Sequence, residues 1–376
     1  MSDLLGEAWT HTGFAQRLHF GAGVVAQLPE IAKELGIRRA LFVTTEGRSQ
    51  SDDGARIVKL LGRSLVSRFT EVRSHVPTTA VQAAMQQARR DAVDGVVSFG
   101  GGSCADLGKA VSYFTEQEAG TPGASYADRP ALRHIAIPTT YSGAELTPFF
   151  GMTDERTHTK GGGGGPTTAP IAVVYDPLLT LGTPARVSAE TGMNAIAHCV
   201  EALYAHDANP VSTMLAEEGI RVLAEALPRV VAAPADPGAR AEALYGAWLA
   251  GASFATTSLG LHHKLCHVLG GTFNLPHAET HSIVLPHVIR YNHDAAPDAM
   301  RRIASSLGSE DAATGIYDLE TRLGVRMKLA DIGMPSDGLA RAAKMATESP
   351  YPNPRPPAYD AVLELLENAH HGRRPA

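Results

Sequence analysis

Seven of the 16 histidines in the chain fall between positions 262 and 293: His262, His263, His267, His277, His281, His287 and His293. His263 and His267 stand four residues apart, so on a helix they share one face, with Lys264 beside them. Gly270-Gly271 is expected to end that helix, and Pro276 sets His277 in a loop or at a new helix start. Two imidazoles from one helical face and a third from the following turn can then converge. Imidazoles titrate near neutrality, and they donate protons, accept them or bind metal. Each histidine alone reads as a hydrogen-bonded structural residue. The cluster reads differently, because a solvated helix face would carry Glu, Lys and Arg. His281, His287 and His293 are assigned to the structural side. Upstream, Asn194 and His198 are again four residues apart on one helical face.

A second chemical signal is Ser98-Phe99-Gly100-Gly101-Gly102-Ser103. Glycines after a strand let the backbone approach a phosphate, and Ser103 is placed to cap the following helix, whose free N–H groups and dipole face the anion. This is not the GxGxxG pattern, and such a turn also occurs without a ligand. Thr139 and Thr140 follow another strand end and offer hydroxyls. Lys160-Gly161-Gly162-Gly163-Gly164-Gly165-Pro166 reads as a mobile loop, since successive glycines hold helix or strand poorly.

These residues need a frame. Residues 40–45, 95–99, 134–137 and 171–175 are short apolar runs bounded by turn residues, with helical stretches such as 79–93 between them. Alternation of this kind predicts a Rossmann-like α/β domain with a mostly parallel sheet over residues 1–180, which binds ligands at its carboxyl strand ends. From Pro184 onward the pattern is helical, which predicts an all-α domain over 181–376 and an active site in the cleft between the two. The 376 residues, 44% apolar and 19% charged, suit a soluble globular protein with a large buried core. A net charge of −6 gives no basic footprint for nucleic acid. No apolar stretch suits a membrane span, the start lacks a signal-peptide pattern, and three scattered cysteines suit a reducing compartment, so a cytoplasmic protein is expected.

Gly100-Gly101-Gly102-Ser103 with Asp106 and Lys109, Gly192-Met193-Asn194 with His198, and Gly260 with His263, His267 and Pro276-His277 together resemble the iron-containing alcohol dehydrogenase family over nearly the whole chain. The resemblance implies that Gly101, Gly102 and Ser103 cradle the pyrophosphate of a nicotinamide cofactor, with Thr139, Thr140 and Lys160 as further contacts. The family's metal-ligand positions fall on Asn194, His198, His263 and His277, and position 194 departs from the usual Asp. The run from His262 to His281, with Asn194 and Pro138-Thr139-Thr140-Tyr141, is similar to the maleylacetate reductase branch of that family. Those enzymes use NADH or NADPH to reduce the C=C bond of maleylacetate to 3-oxoadipate in bacterial degradation of aromatic and chloroaromatic compounds.

The branch resemblance implies an oxidoreductase acting on a CH–CH group of a small dicarboxylate, working as a homodimer. Asn at 194 leaves three imidazoles and an amide, a poorer site for a hard cation, so no metal is expected. Hydride addition to a conjugated enone leaves an enolate, which needs a hydrogen-bond donor and a proton, and a histidinium would supply both. The expected roles are His267 as proton donor, His277 as second donor or oxyanion partner, and His198 and His263 shaping the site. Lys264, Tyr141 and Asn194 are the expected substrate contacts. The alternative is a metal-dependent alcohol or polyol dehydrogenase of the same family.

Overall fold

The computed structural model describes residues 9–120, 130, 132–157 and 159–375. In chain order the strands are β1 (Arg17–Phe20), β2 (Ala40–Thr44), β3 (Leu65–Phe69), β4 (Gly95–Gly100), β5 (Arg133–Pro138), β6 (Phe149–Asp154), β7 (Thr159–Gly164) and β8 (Ala172–Tyr175). Six of them form one parallel sheet in the order β1-β8-β5-β4-β2-β3. Its central strands are apolar on both faces, as a sheet covered twice requires. Leu41, Val43 and Val96 enter one core, whereas Phe42, Val97 and Phe99 enter another on the opposite face. The covering helices are α1 (Leu28–Glu34), α2 (Glu46–Ser49), α3 (Asp52–Leu61), α4 (Thr78–Arg90) and α5 (Gly102–Glu118).

Beyond β8 the chain is helical: α6 (Ala185–Tyr204), α7 (Pro210–Ala232), α8 (Pro237–Phe254), α9 (Leu261–Phe273), α10 (His277–Asn292), α11 (Pro297–Leu307), α12 (Ala312–Leu323), α13 (Leu339–Thr347) and α14 (Tyr359–His371). α6 is buried almost all round, and its polar members Asn194, His198 and Glu201 go into the interior with it. Burying such groups costs free energy unless they are partnered or used. Among the described residues no helix is long and apolar enough to cross a membrane.

Four sequence expectations change. The glycine tract is not a loop, because Lys160 to Gly164 lie in β7, paired antiparallel with β6. A Cβ at Gly162 would sit 2.1 Å from the Phe150 carbonyl oxygen, and one at Gly163 would sit 2.9 Å from the Tyr113 ring. The glycines permit a contact no other residue allows. Gly270 and Gly271 do not end α9, which runs on to Phe273 with Asn274 at φ 53° as its left-handed terminus. A Cβ at Gly271 would meet the Lys160 Cβ at 3.2 Å, so this glycine lets α9 lie against β7. Ser103 does not cap α5. Gly101 is the cap, and Ser103 is already inside the helix. β1 and β3 escaped detection: the mixed, partly exposed runs Arg17–Phe20 and Leu65–Phe69 lack the continuous apolar pattern of the central strands.

Candidate active site

Helices α6, α9 and α10 bring six histidine rings into one cluster. His198 lies 5.1 Å from His263, His263 lies 4.9 Å from His281, and His281 lies 4.3 Å from His277, centroid to centroid. His267 is 6.2 Å from His263, and His262 is 4.8 Å from His281. His198 and His263 also stack on Phe254 at the end of α8, at 4.1 and 4.8 Å. His198 of α6, His263 and His267 of α9, and His277 and His281 of α10 bring their rings together, so three helices suffice. His287 and His293 lie outside the cluster: His287 is buried further along α10, and His293 meets Asp294 at 2.9 Å.

Burial holds these imidazoles neutral. His262 and His263 are pushed down to about 3 by desolvation, with neighbouring charge adding to it. His198, His277 and His281 are displaced well downward for the same first reason. Burial by itself therefore opposes the histidinium expected from the sequence. Imidazolium there waits for a negative charge to arrive. His267 differs in access. Its ring is exposed yet walled in by protein, as a side chain lining a cleft is. The surrounding protein, then Lys160, His263 and Lys264, push it down to about 3, and contact with water works against that displacement.

Behind His263 stands Glu201, fully buried on α6, with Oε2 2.5 Å from His263 Nδ1. The backbone N–H groups of Gly260 and His262 also donate to this carboxylate. Burial raises the Glu201 carboxyl, and the His262 ring and these donors oppose it. With Nδ1–H directed at Glu201, His263 Nε2 carries the lone pair and has no partner. Asn194 Oδ1, His198 Nδ1 and His277 Nδ1 are likewise buried and unpartnered. Glu201, Phe254, His262 and His281 were not identified from sequence. His281 was legible as an i,i+4 partner of His277, whereas Glu201 appears in the sequence only as a residue three positions past His198.

The remaining expected contacts separate. Tyr141 turns into the core, where its hydroxyl accepts from the buried Arg240 at 3.1 Å. Arg240 further donates to Ser188 Oγ and to the Thr183 carbonyl. Tyr141 thus does not reach the histidine cluster. Lys264 places its ammonium 5.9 Å over the Tyr351 ring. Lys160, assigned to the cofactor, exerts its charge on His75, His263, His267 and His277.

The glycine turn lies at the carboxyl end of β4, between β5 and β2. Gly100 has φ 144°, and the first N–H groups of α5 open next to it. A Cβ at Gly101 would lie 3.3 Å from Thr140 Cγ2, and one at Gly102 would lie 3.0 Å from Ser142 Oγ. The hydroxyls of Thr139, Thr140 and Ser142 are buried without partners. Backbone donors, a helix start and three free hydroxyls fit a phosphate, and Ser142 joins the residues identified from sequence. Lys109 is fully buried and braces this corner through Asp106 at 2.8 Å and the carbonyls of Ala144 and Phe149.

Two sequence models match the chain: the iron-containing alcohol dehydrogenase over residues 15–177 and the C-terminal model of the same family over residues 188–370. The chain is 46% identical to a maleylacetate reductase of Burkholderia cepacia over 360 residues, 96% of this chain and 97% of that one. It is 44% identical to a maleylacetate reductase of Sphingobium indicum, with 96% of each covered. The crystal structure of maleylacetate reductase from Agrobacterium tumefaciens superposes with a TM-score of 0.88 at 41% identity, covering 98% of this chain and 100% of that one.

These matches correct the expectation that no metal is bound, because the matching models describe an iron-containing family across both halves of the chain. The donor set is compatible with that. Asn194, His198, His263 and His277 offer unpartnered atoms of the kind a borderline divalent cation takes, while among the described residues the donor atoms that lie within 4.8 Å of one another are those of His262, Cys266 and His281. The carboxylate–histidine pair of Glu201 and His263 is the arrangement that orients a ligating imidazole. Position 194 alone does not decide the charge of the site, because the Glu201 carboxylate stands behind His263.

Proposed function

The chain belongs to the iron-containing alcohol dehydrogenase family, and within it we infer that the protein reduces the C=C bond of maleylacetate with NADH or NADPH. The observation that carries this reading is the end-to-end likeness to maleylacetate reductases at 44–46% identity. The nicotinamide supplies the hydride, and a divalent cation held by Asn194, His198, His263 and His277 would supply Lewis-acid polarisation of a substrate oxygen. Gly101, Gly102 and Ser103, with Thr139, Thr140 and Ser142, bind the pyrophosphate and so aim the cofactor toward the helical half.

Hydride addition at the carbon β to the ketone leaves an enolate, and the α carbon then takes one proton. His267 is the donor, because it alone among the six clustered rings is exposed to an incoming molecule. The dianionic substrate itself raises the His267 imidazole toward protonation, since an opposite charge stabilises the cationic form. His277, half-buried on α10, would serve the enolate oxygen through the cation it helps to hold. Phe254 keeps water from the inner rings, and Glu201 holds His263 in one tautomer. The fuller reading is a cytoplasmic homodimer, supported by the family resemblance and by three buried free cysteines. Consumption of NADH on addition of maleylacetate tests the reaction. Oxidation of simple alcohols or polyols with NAD+, without maleylacetate turnover, would replace it with the alcohol dehydrogenase reading.

A further inference from the structure

β2 pairs with β4, so its carboxyl end borders the glycine turn. Thr44 ties the two strand ends together, its hydroxyl donating to the Phe99 carbonyl at 2.7 Å. In nucleotide-binding sheets a residue beside the phosphate turn meets the adenosine ribose. A carboxylate there accepts from a 2′-hydroxyl, whereas an arginine takes a 2′-phosphate. Here the strand is followed by Thr45, whose hydroxyl already accepts from the Arg48 N–H at 3.3 Å. Glu46, the acid of the short helix α2, is held along that helix by Gln50 Nε2 at 2.5 Å. No carboxylate ends the strand.

Arg48 instead reaches toward the turn. Its Nη2 donates to Thr183 Oγ1 at 2.7 Å, and that hydroxyl donates to the Thr139 carbonyl at 2.7 Å. The Thr139 N–H in turn donates to the Gly100 carbonyl at 2.9 Å. This chain of hydrogen bonds leads from the guanidinium to the glycine turn, and it brings Arg48 from the β2 side across the end of β4. Nη1 would lie 3.5 Å from a Cβ at Gly182. The backbone beneath is fixed as well. Ser51 Oγ donates to the Arg48 carbonyl at 2.7 Å, and α3 approaches that carbonyl through Gly54, where a Cβ would lie 2.2 Å from the oxygen. Among the described residues no carboxylate lies within ion-pair distance of Arg48, and Thr183 is the one hydrogen-bond partner of its guanidinium. The half-buried fork keeps N–H groups free in the geometry that phosphate oxygens match.

We propose that Arg48, held by Thr183, binds the ribose 2′-phosphate of the dinucleotide, so that the protein prefers NADPH to NADH. This rests on the reading of the glycine turn as the pyrophosphate site, and it decides between the two cofactors that the reaction could use. Thr45 serves the same choice, because a carboxylate in its place would repel the phosphate that Arg48 attracts.

The fragments 2′,5′-ADP and 5′-AMP differ only in the 2′-phosphate and need no reducible substrate, so their binding tests Arg48 whatever the protein reduces. Calorimetry on the full chain should show 2′,5′-ADP binding roughly 10- to 150-fold more tightly than 5′-AMP, as charged hydrogen bonds allow. In Arg48→Leu that difference should collapse while 5′-AMP binds as in wild type, with folding checked by thermal melts. Arg48→Lys keeps the charge and loses the planar fork, so its preference should be reduced, and it carries the test if Arg48→Leu fails to fold. In turnover of maleylacetate the kcat/KM ratio of NADPH to NADH should fall in step with the fragment preference. Equal binding of the two fragments by wild type would overturn the proposal, as would an unchanged preference in either variant. An Arg48→Leu protein that weakens both fragments alike would make Arg48 a support for the adenine and overturn it too. Binding of neither fragment would overturn it together with the glycine-turn reading. A preserved fragment preference without maleylacetate turnover would leave Arg48 in place and replace only the substrate.

Discussion

At the scale of single residues the site divides into groups that touch the reaction and groups that hold those groups. His267 is of the first kind. Removing a general acid costs roughly 10²–10⁴-fold in turnover, so His267→Ala should lose that much while NADH titration is unaffected. Most of the activity surviving would strip His267 of the role. Glu201 is of the second kind, because it meets His263 and no reacting atom. Loss of such a carboxylate typically weakens metal binding roughly 10–100-fold. Glu201→Gln keeps the shape and removes the charge, so divalent-metal affinity of the purified protein should fall by about that factor. A wild-type affinity in Glu201→Gln would mean that the carboxylate only packs. His263 and His267, like His198 with Asn194, were legible in the sequence because their spacing matched the helix period. Glu201 was not, because what makes it matter is a contact 62 positions away with His263.

At the scale of elements, spacing served well where one strand or helix acts alone. The central strands lie within a few residues of the apolar runs, and the chain turns helical at Ala185, next to Pro184. It failed where two elements approach each other. Intrinsic propensity disfavours a strand over Lys160 to Gly164, yet β7 exists because its glycines let β6 and the Tyr113 ring come close. Gly162→Ala should therefore displace the hairpin, since its methyl would fall 2.1 Å from the Phe150 oxygen. The expected result is a lower melting temperature together with impaired maleylacetate turnover, because Lys160 rides on the same strand. A variant with wild-type melting and kinetics would show that the hairpin tolerates the shift. At the glycine turn, Gly102→Val should weaken NADH binding by crowding Ser142 and the approach to phosphate, with the fold retained. Unchanged NADH titration would place the phosphate elsewhere.

At the scale of the whole molecule, the helical half carries a fully buried carboxyl that the site does not use. Glu320 on α12 is fully buried, and neither carboxyl oxygen has a hydrogen-bond partner among the described residues. Burial alone raises it well above the usual 4.5. The folded protein then keeps a proton on Glu320 at a pH where the unfolded chain has released it. Stability must accordingly be full below about pH 4.5 and decline as pH rises toward the folded value, by up to about 1.4 kcal/mol per unit. Glu320→Leu replaces the carboxyl with an apolar group of similar size, and Glu320→Gln removes the titration while keeping the shape. Both variants should lose this pH slope, so that their stability relative to wild type improves steadily from about pH 5 to about pH 8 in denaturant titrations. Because α12 packs on α10, which bears His277 and His281, the same variants report whether the helical core sets the temperature at which activity is lost. Curves for wild type and both variants that run parallel across this range would show that Glu320 finds a partner in solution, and would remove it as a source of alkaline instability.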